Sequence, residues 1–445
     1  MKYIIFLGDG MADEPMACLG GKTPLQAART PHMDALARDG RCGALSTVPQ
    51  GFIPGSEIAN MSLLGYDVRK DFEGRGSLEA ASMGVEIPQG CMAARCNLIC
   101  MAPDGRIKNH SAGHISNDEA EELIAALNEA LGENLDTEKV VDSRKANDSE
   151  NSDVSGKAND SENYDASGKA CDDQPVRFFP GISYRHLLLL KGGDKRILCT
   201  PPHDVPGTPF RDVLVKPQVP EAAATANRLN ELIIRSQEIL SKHPVNLRRI
   251  SEGKDPANSI WPWSPGYRPS MLPMTSLYPI RSGSVISAVD LIKGIGVYAG
   301  LESIEVEGAT GLFDTNYEGK AAAAVRELRR KDFVFVHVEA SDEAGHEGDV
   351  DLKIKTIEYL DRRLIAPVLE ALPSLGEPVT VAVLPDHPTF CRTKTHVAAP
   401  VPFLIWRSDG SLESDAVTAF SEDVCRTGAF GQLEGDAFIR AVFGC

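Results

Sequence analysis

The sequence predicts an α/β protein with a doubly wound, mostly parallel sheet that presents acidic and imidazole side chains at its strand ends. Three observations point there. Short apolar, β-branched runs occur at residues 3–7, 333–338 and 379–384. Each run ends in a polar turn: Gly8-Asp9-Gly10, EASDEAGH and Pro385-Asp386-His387. Helical patterns lie between them at 319–330 and 350–372, the latter with apolar residues at Leu352, Ile354, Ile357, Leu360 and Leu364.

A strand buried on both faces reads as a continuous apolar run instead of an alternating one, which is the pattern of the 3–7, 333–338 and 379–384 segments. Asp9 then falls just past a strand's carboxyl end, where open α/β sheets bind ligands. One aspartate in a turn carries little weight, because Asp is a common turn residue. Three such ends, two of them with histidine, point to a shared site. Asp342 and His346 are four residues apart, so a helical turn would place them on one side.

The chain has 445 residues, more than one domain usually holds, so two domains are expected. Its 46 Lys and Arg against 63 Asp and Glu leave a net charge of −17, which disfavours a nucleic-acid backbone or an anionic membrane as partner. An acidic protein that handles an anionic substrate must concentrate its arginines and metals locally. The ten cysteines form no CxxC pair and read as reduced thiols. The apolar run of MKYIIFLGDG is too short for a signal peptide core or a membrane span, and a cytoplasmic location is expected.

The middle of the chain differs. KANDSENSDVSG at 145–156 is followed by KANDSENYDASG at 157–168, and Lys169-Ala170 begins a third copy. A polar unit without an apolar face cannot stack into a solenoid, so a disordered insertion over about residues 143–172 is expected. Residues 243–279, with NSIWPWSPGYRPS, read as irregular, with Trp261 and Trp263 expected to pack against a neighbouring domain.

Phosphoryl transfer needs charge neutralised at both the attacking and the leaving oxygen, which two nearby cations can do. Asp9, Asp342, His346, Asp386, His387 and His396 supply the carboxylates and imidazoles for that purpose. Mixed O and N ligation suits Mn²⁺, Zn²⁺, Co²⁺ or Fe²⁺ better than Ca²⁺.

GDGM (8–11), PGSEIANMSLLGY (54–66), HVEASDEAGHEGD (337–349), PDH (385–387) and KTHVAAPVP (394–402) resemble the alkaline phosphatase superfamily. Within it, the chain is similar to the archaeal-type cofactor-independent phosphoglycerate mutases; YRHLLLL (184–190), TPPHDVPG (200–207), NSIWPW (258–263), VISAVDLIKGIG (285–296) and EGATGLFDTNYEGKA (307–321) extend the likeness over nearly the whole chain except the repeats. The resemblance implies an alkaline-phosphatase-like fold with an inserted second α/β domain: residues 1–79 and 276–445 bind metal, and 80–275 clamp the substrate. It makes Ser56 the residue that accepts the phosphoryl group. Asp9, Ser56, Asp386 and His387 would hold one Mn²⁺-type ion, with Zn²⁺, Co²⁺ or Mg²⁺ as substitutes, and Asp342, His346 and His396 the other. No 2,3-bisphosphoglycerate is required. Arg95 and Arg185 of the inserted domain would bind the small phosphorylated substrate, with Arg75 and Lys320 lining the site from the other domain.

NHSAGHIS at 109–116 departs from the arginine-rich stretch of that family, with Ser111 and His114 at two expected cationic positions. His114 becomes a substrate-binding candidate, and the form looks like a bacterial branch that includes proposed homoserine kinases. The expected reaction is the interconversion of 3-phosphoglycerate and 2-phosphoglycerate through a phosphoserine. A homoserine kinase-like phosphotransferase, a phosphomonoesterase and a catalytically silent binding protein on the same scaffold remain alternatives.

Overall fold

A computed structural model describes residues 1–132, 175–415 and 417–445; the repeat segment lies outside the described residues. The chain forms two compact units, one of Met1–Phe72 and Pro269–Cys445, the other of Glu73–Arg268.

The first unit is built on an eight-stranded sheet. Its order is Glu302–Ser303, Gly283–Ile286, Phe333–Val338, Lys2–Gly8, Val379–Leu384, Val401–Arg407, Arg41–Ser46 and Gly431–Glu434. All neighbours are parallel except Val401–Arg407, which runs antiparallel to both of its own. The three runs singled out in the sequence lie side by side at its centre, and every residue in them is buried. Each fully buried Val, Ile, Leu or Phe contributes about 1.5–3 kcal/mol, which explains why the sheet needs unbroken apolar strands.

The helix Tyr317–Arg330 starts where the Asn316 side chain accepts the N–H of Gly319, and it buries Ala321, Ala324 and Leu328. The helix Val350–Tyr359 is capped by Asp349 and continues through a π-helical turn, Leu360–Ile365, into Ala366–Ala371. Here the apolar spacing misled in part. Leu352 and Ile354 are only half-buried, whereas Lys353 is fully buried. Its ammonium donates to the carbonyls of Ala12 (3.2 Å) and Thr389 (2.6 Å) and to Asp13 Oδ2 (2.9 Å), which satisfies all three of its donors. Lys353→Met leaves Asp13 as an uncompensated buried charge and should cost about 3–5 kcal/mol in urea unfolding; adding Asp13→Leu should recover part of that loss.

The second unit centres on an antiparallel sheet. Cys91–Met101 lies between Arg185–Lys191 and Ser259–Gly266, with Val176–Phe179 beyond Arg185–Lys191 and Ile107–Asn109 paired to the strand's end. The helices Asn117–Leu131 and Ala223–Leu240 close its core through Leu123, Leu127, Leu229 and Leu232.

Two sequence expectations are corrected in this unit. Residues 243–279 are not uniformly irregular, because they include the helix Pro244–Ser251 and the strand Ser259–Gly266, whose prolines at 262 and 265 hide the strand signal. Trp261 and Trp263 belong to this unit's own core, their indole N–H groups donating to Thr200 O (2.8 Å) and Asn97 Oδ1 (3.0 Å). The units also part before residue 79, because the helix Arg75–Ser82 seats on Cys91–Met101. A Cβ on Gly76 would come within 2.8 Å of Ala94 Cα, so only glycine permits that approach. Arg75 therefore lies in the inserted unit and not with Lys320. Among the described residues, no helix is long and apolar enough to cross a membrane.

Candidate active site

The central strands of the first unit end at one buried cluster. Asp9 follows Lys2–Gly8, Asp386 and His387 follow Val379–Leu384, and Asp342 and His346 lie one turn apart on the helix Ala340–Glu347. His396 comes from a two-stranded hairpin in which it pairs with Thr389. Ser56 opens the helix Ser56–Leu63 behind Gly55, so it sits at a helix start and not in a free loop. Gly10 makes room for the cluster: at φ +59, a Cβ there would lie 2.5 Å from Asp342 Oδ1.

Within this group, Ser56 Oγ is 3.2 Å from His387 Nε2, and His387 Nε2 is 3.6 Å from Asp9 Oδ1 and 3.5 Å from Asp386 Oδ2. Asp386 is aligned by the N–H groups of Gly10 (3.1 Å) and His387 (2.8 Å) on one oxygen and by Asn60 Nδ2 (2.9 Å) on the other. Asp342 Oδ2 is 3.2 Å from His346 Nε2, Asp342 Oδ1 is 3.4 Å from His396 Nε2, and the two Nε2 atoms are 2.8 Å apart. The His387 and His396 rings lie 4.1 Å apart between centroids, so the two halves of the cluster adjoin.

The hydrogen-bond pattern shows what the imidazoles are set to do. His346 Nδ1 faces Lys394 O at 3.0 Å, and His396 Nδ1 faces Pro54 O at 3.3 Å. A carbonyl only accepts, so both Nδ1 atoms carry hydrogen, and in the neutral rings both Nε2 lone pairs turn toward Asp342. Thr389 Oγ1 donates to Asp342 Oδ1 and therefore accepts from His387 Nδ1 at 3.3 Å, which frees His387 Nε2 in the same way. Second-sphere oxygens that fix a tautomer in this manner are the usual support of a metal-binding histidine. Asp9 Oδ1 is fully buried and has no hydrogen-bond partner among the described residues. An orphaned carboxylate oxygen beside converging imidazole lone pairs fits a divalent cation.

Electrostatics agree. Burial, then Asp386, pushes Asp9 well above the usual carboxylate range. Burial and then Asp342 push Glu339 up to about 8. Asp342 behaves oppositely: burial acts to raise it, but hydrogen bonds from His346 and His396 hold it well below the usual range. The Asp342 bond raises His346 to about 9, while burial lowers His387. This has a consequence for metal binding. Without a cation, the His346 proton stabilises the folded protein in full below about pH 6.5, and that contribution is lost as pH rises through about 9. A divalent cation held by His346 would displace this proton, so its affinity should rise with pH by about tenfold per unit up to about pH 9. Calorimetry in buffers of different ionisation enthalpy should count the proton released.

The inserted unit gathers most of the other candidates. Arg95 stacks 4.7 Å over Trp263 and pairs with Glu79 at 3.1 Å. His203 lies 5.4 Å from Trp263 and 5.9 Å from His110, while His110 and His114 lie 5.6 and 6.1 Å from Tyr184. The Arg185 guanidinium is 5.9 Å from the Tyr184 ring. Burial lowers both His110 and His203; Arg95 pushes the same way on each, and Arg75 does so on His203. Lys320 stands apart in the first unit, fully buried, donating to His337 O at 3.0 Å and lowered by burial to about 8.

The sequence reading missed Asn60, His337, Glu339 and Thr389 around the cluster and His110, Tyr184 and His203 in the inserted unit. A histidine inside the otherwise apolar FVFVHV strand was the one usable signal.

A family model described as the metalloenzyme superfamily matches residues 1–438. The chain is 46% identical to the 2,3-bisphosphoglycerate-independent phosphoglycerate mutase of Methanosarcina barkeri over 99% of its own length and 98% of that protein's. A Pyrococcus horikoshii protein, PH0037, superposes with a TM-score of 0.75 at 26% identity, covering 100% of this chain and 97% of that one. The cofactor-independent phosphoglycerate mutase of Thermoplasma acidophilum gives 0.64 at 25% identity, covering 100% and 99%. The chain belongs to the metalloenzyme superfamily and, within it, to the 2,3-bisphosphoglycerate-independent phosphoglycerate mutases.

Proposed function

We propose that this protein interconverts 3-phosphoglycerate and 2-phosphoglycerate in the cytoplasm, by two phosphoryl transfers through Ser56 and without 2,3-bisphosphoglycerate. The observation that carries the reading is Ser56 Oγ at 3.2 Å from His387 Nε2, at a helix start beside the buried carboxylates. Asp9, Ser56, Asp386 and His387 would hold one divalent ion, and Asp342, His346 and His396 a second. Their mixed donors favour Mn²⁺, with Zn²⁺, Co²⁺ or Mg²⁺ as substitutes. When bound, the ions supply charge neutralisation on the phosphoryl oxygens and lower the serine hydroxyl's pKa.

Ser56 Oγ gives up its proton and attacks phosphorus as the ester bond to the substrate breaks, and the departing oxygen takes up a proton, leaving phosphoserine and glycerate. Attack by the other glycerate hydroxyl reverses the transfer. Asp9, Asp386 and His387 are fully buried, which limits the water that could hydrolyse the phosphoserine from their side. The N–H groups at the start of Ser56–Leu63 favour the phosphoryl charge there. Arg75, Arg95, Arg185 and His114 of the inserted unit suit the anionic substrate, and Lys320 adds a buried cation in the first unit.

Purified protein should be incubated with Mn²⁺ and 3-phosphoglycerate, and in parallel with homoserine and ATP. Formation of 2-phosphoglycerate alone is expected. Its absence, or homoserine phosphate in the second arm, would overturn the mutase reading.

A further inference from the structure

His337 lies in the strand beside Asp9, fully buried, with a partner on each ring nitrogen. Nε2 is 2.8 Å from Asp9 Oδ2, and Nδ1 is 3.1 Å from Ser287 Oγ. Ser287 Oγ, which accepts the Val289 N–H at 3.0 Å, keeps a hydrogen that it can donate to Nδ1. An ionised Asp9 carboxylate only accepts, so the ring hydrogen sits on Nε2, and in the neutral ring Nδ1 is left to accept from Ser287. This arrangement is the reverse of the one at His346, His387 and His396, where Nδ1 donates and the neutral ring would turn its Nε2 lone pair into the cluster. The other oxygen of Asp9, Oδ1, has no hydrogen-bond partner among the described residues and is the one nearest His387 Nε2, at 3.6 Å.

We infer that His337, its Nε2 hydrogen held by Asp9 and its Nδ1 supported by Ser287, is a positioning residue that occupies Asp9 Oδ2 and leaves Oδ1 alone to meet a divalent ion. The inference rests on the reading of Asp9 as a metal ligand. Asp9, His337 and Glu339 come close enough to suggest a third cation among themselves. With both ring nitrogens engaged, however, His337 has no lone pair to give, and the group is a support and not a site. Rotation of Asp9 about its χ2 angle would exchange its oxygens, and the Nε2–H bond opposes that rotation. The ion bound by Asp9 should therefore depend on His337 and Ser287, and the ion bound by Asp342, His346 and His396 should not.

The test is Mn²⁺ binding by calorimetry and metal analysis on the full chain, comparing wild type with Asp9→Ala, His337→Leu, His337→Gln and Ser287→Ala. Asp9→Ala should retain one ion of two. His337→Leu should weaken that same ion by about 10- to 100-fold and leave the other unchanged, with turnover recovered at raised Mn²⁺. His337→Gln keeps an N–H donor and should restore part of the affinity. Ser287→Ala should weaken the same ion by a smaller factor, and it decides the case if His337→Leu does not fold. Wild-type binding of both ions in Ser287→Ala and His337→Leu, equal weakening of both ions, or loss of a third ion would overturn the inference. Two ions retained in Asp9→Ala would instead remove Asp9 as a ligand, and the inference would fall with it.

Discussion

Ser56→Ala is expected to lower turnover by about 10⁴-fold or more, because it removes the oxygen that receives the phosphoryl group in the proposed mechanism. The geometric reason is that the two oxygens of phosphoglycerate that exchange the phosphoryl group sit on adjacent carbons. A direct transfer between them cannot place attacking and leaving oxygens in line through phosphorus. Transfer to Ser56 and back replaces that strained step with two in-line displacements. Ser56 is half of a contact with His387 in a buried cluster, and removing one oxygen at the start of a helix leaves the packing of Ile58, Met61 and Leu63 intact. Folding and the Asp342 ion should therefore survive. Acid quenching after mixing with ³²P-labelled 3-phosphoglycerate should leave the label on the peptide that contains residue 56. Label elsewhere, or wild-type turnover in the alanine variant, would remove Ser56 from the mechanism.

Asp342→Ala, His346→Ala and His396→Ala should each abolish binding of one ion and lower kcat/KM by about 10³-fold or more. Losing a cation forfeits several kcal/mol of charge stabilisation, and each 1.36 kcal/mol is a factor of ten. The three residues share one set of contacts, with the Nε2 atoms of His346 and His396 2.8 Å apart and both within 3.4 Å of an Asp342 oxygen. Their effects should therefore not add: the triple variant should be about as inactive as any single one. His346 and His396 are only partly buried, so their alanine variants should fold. Asp342→Ala also strands the Thr389 hydroxyl, and Asp342→Asn is the better control for folding. Full metal content in all of these variants would refute the assignment.

Much of this centre was legible in the sequence, since a set of carboxylates and imidazoles at strand ends follows from local pattern. Asp9, Asp342, Asp386 and His387 each lie within a few residues of a central strand, and parallel neighbours bring those ends together once the strands pair in register. The inserted unit was less legible. Its core strand Ser259–Gly266 contains prolines, and its pairing with Cys91–Met101 spans more than 150 residues, which no local pattern encodes. Arg95 was visible as a cation, but its stacking on Trp263 was not.

By itself, the sequence determined the parallel α/β class, the kinds of side chain at the centre and their order along the chain, because strand burial and turn chemistry depend on near neighbours. Only the tertiary structure decided which atom of each side chain is free. The Nδ1 proton on His346 and His396 is set by the distant carbonyls of Lys394 and Pro54, and the Nε2 proton on His337 by the Asp9 carboxylate. A neutral imidazole has one hydrogen and one lone pair, and the partner it meets across the fold assigns them; its neighbours in the chain do not.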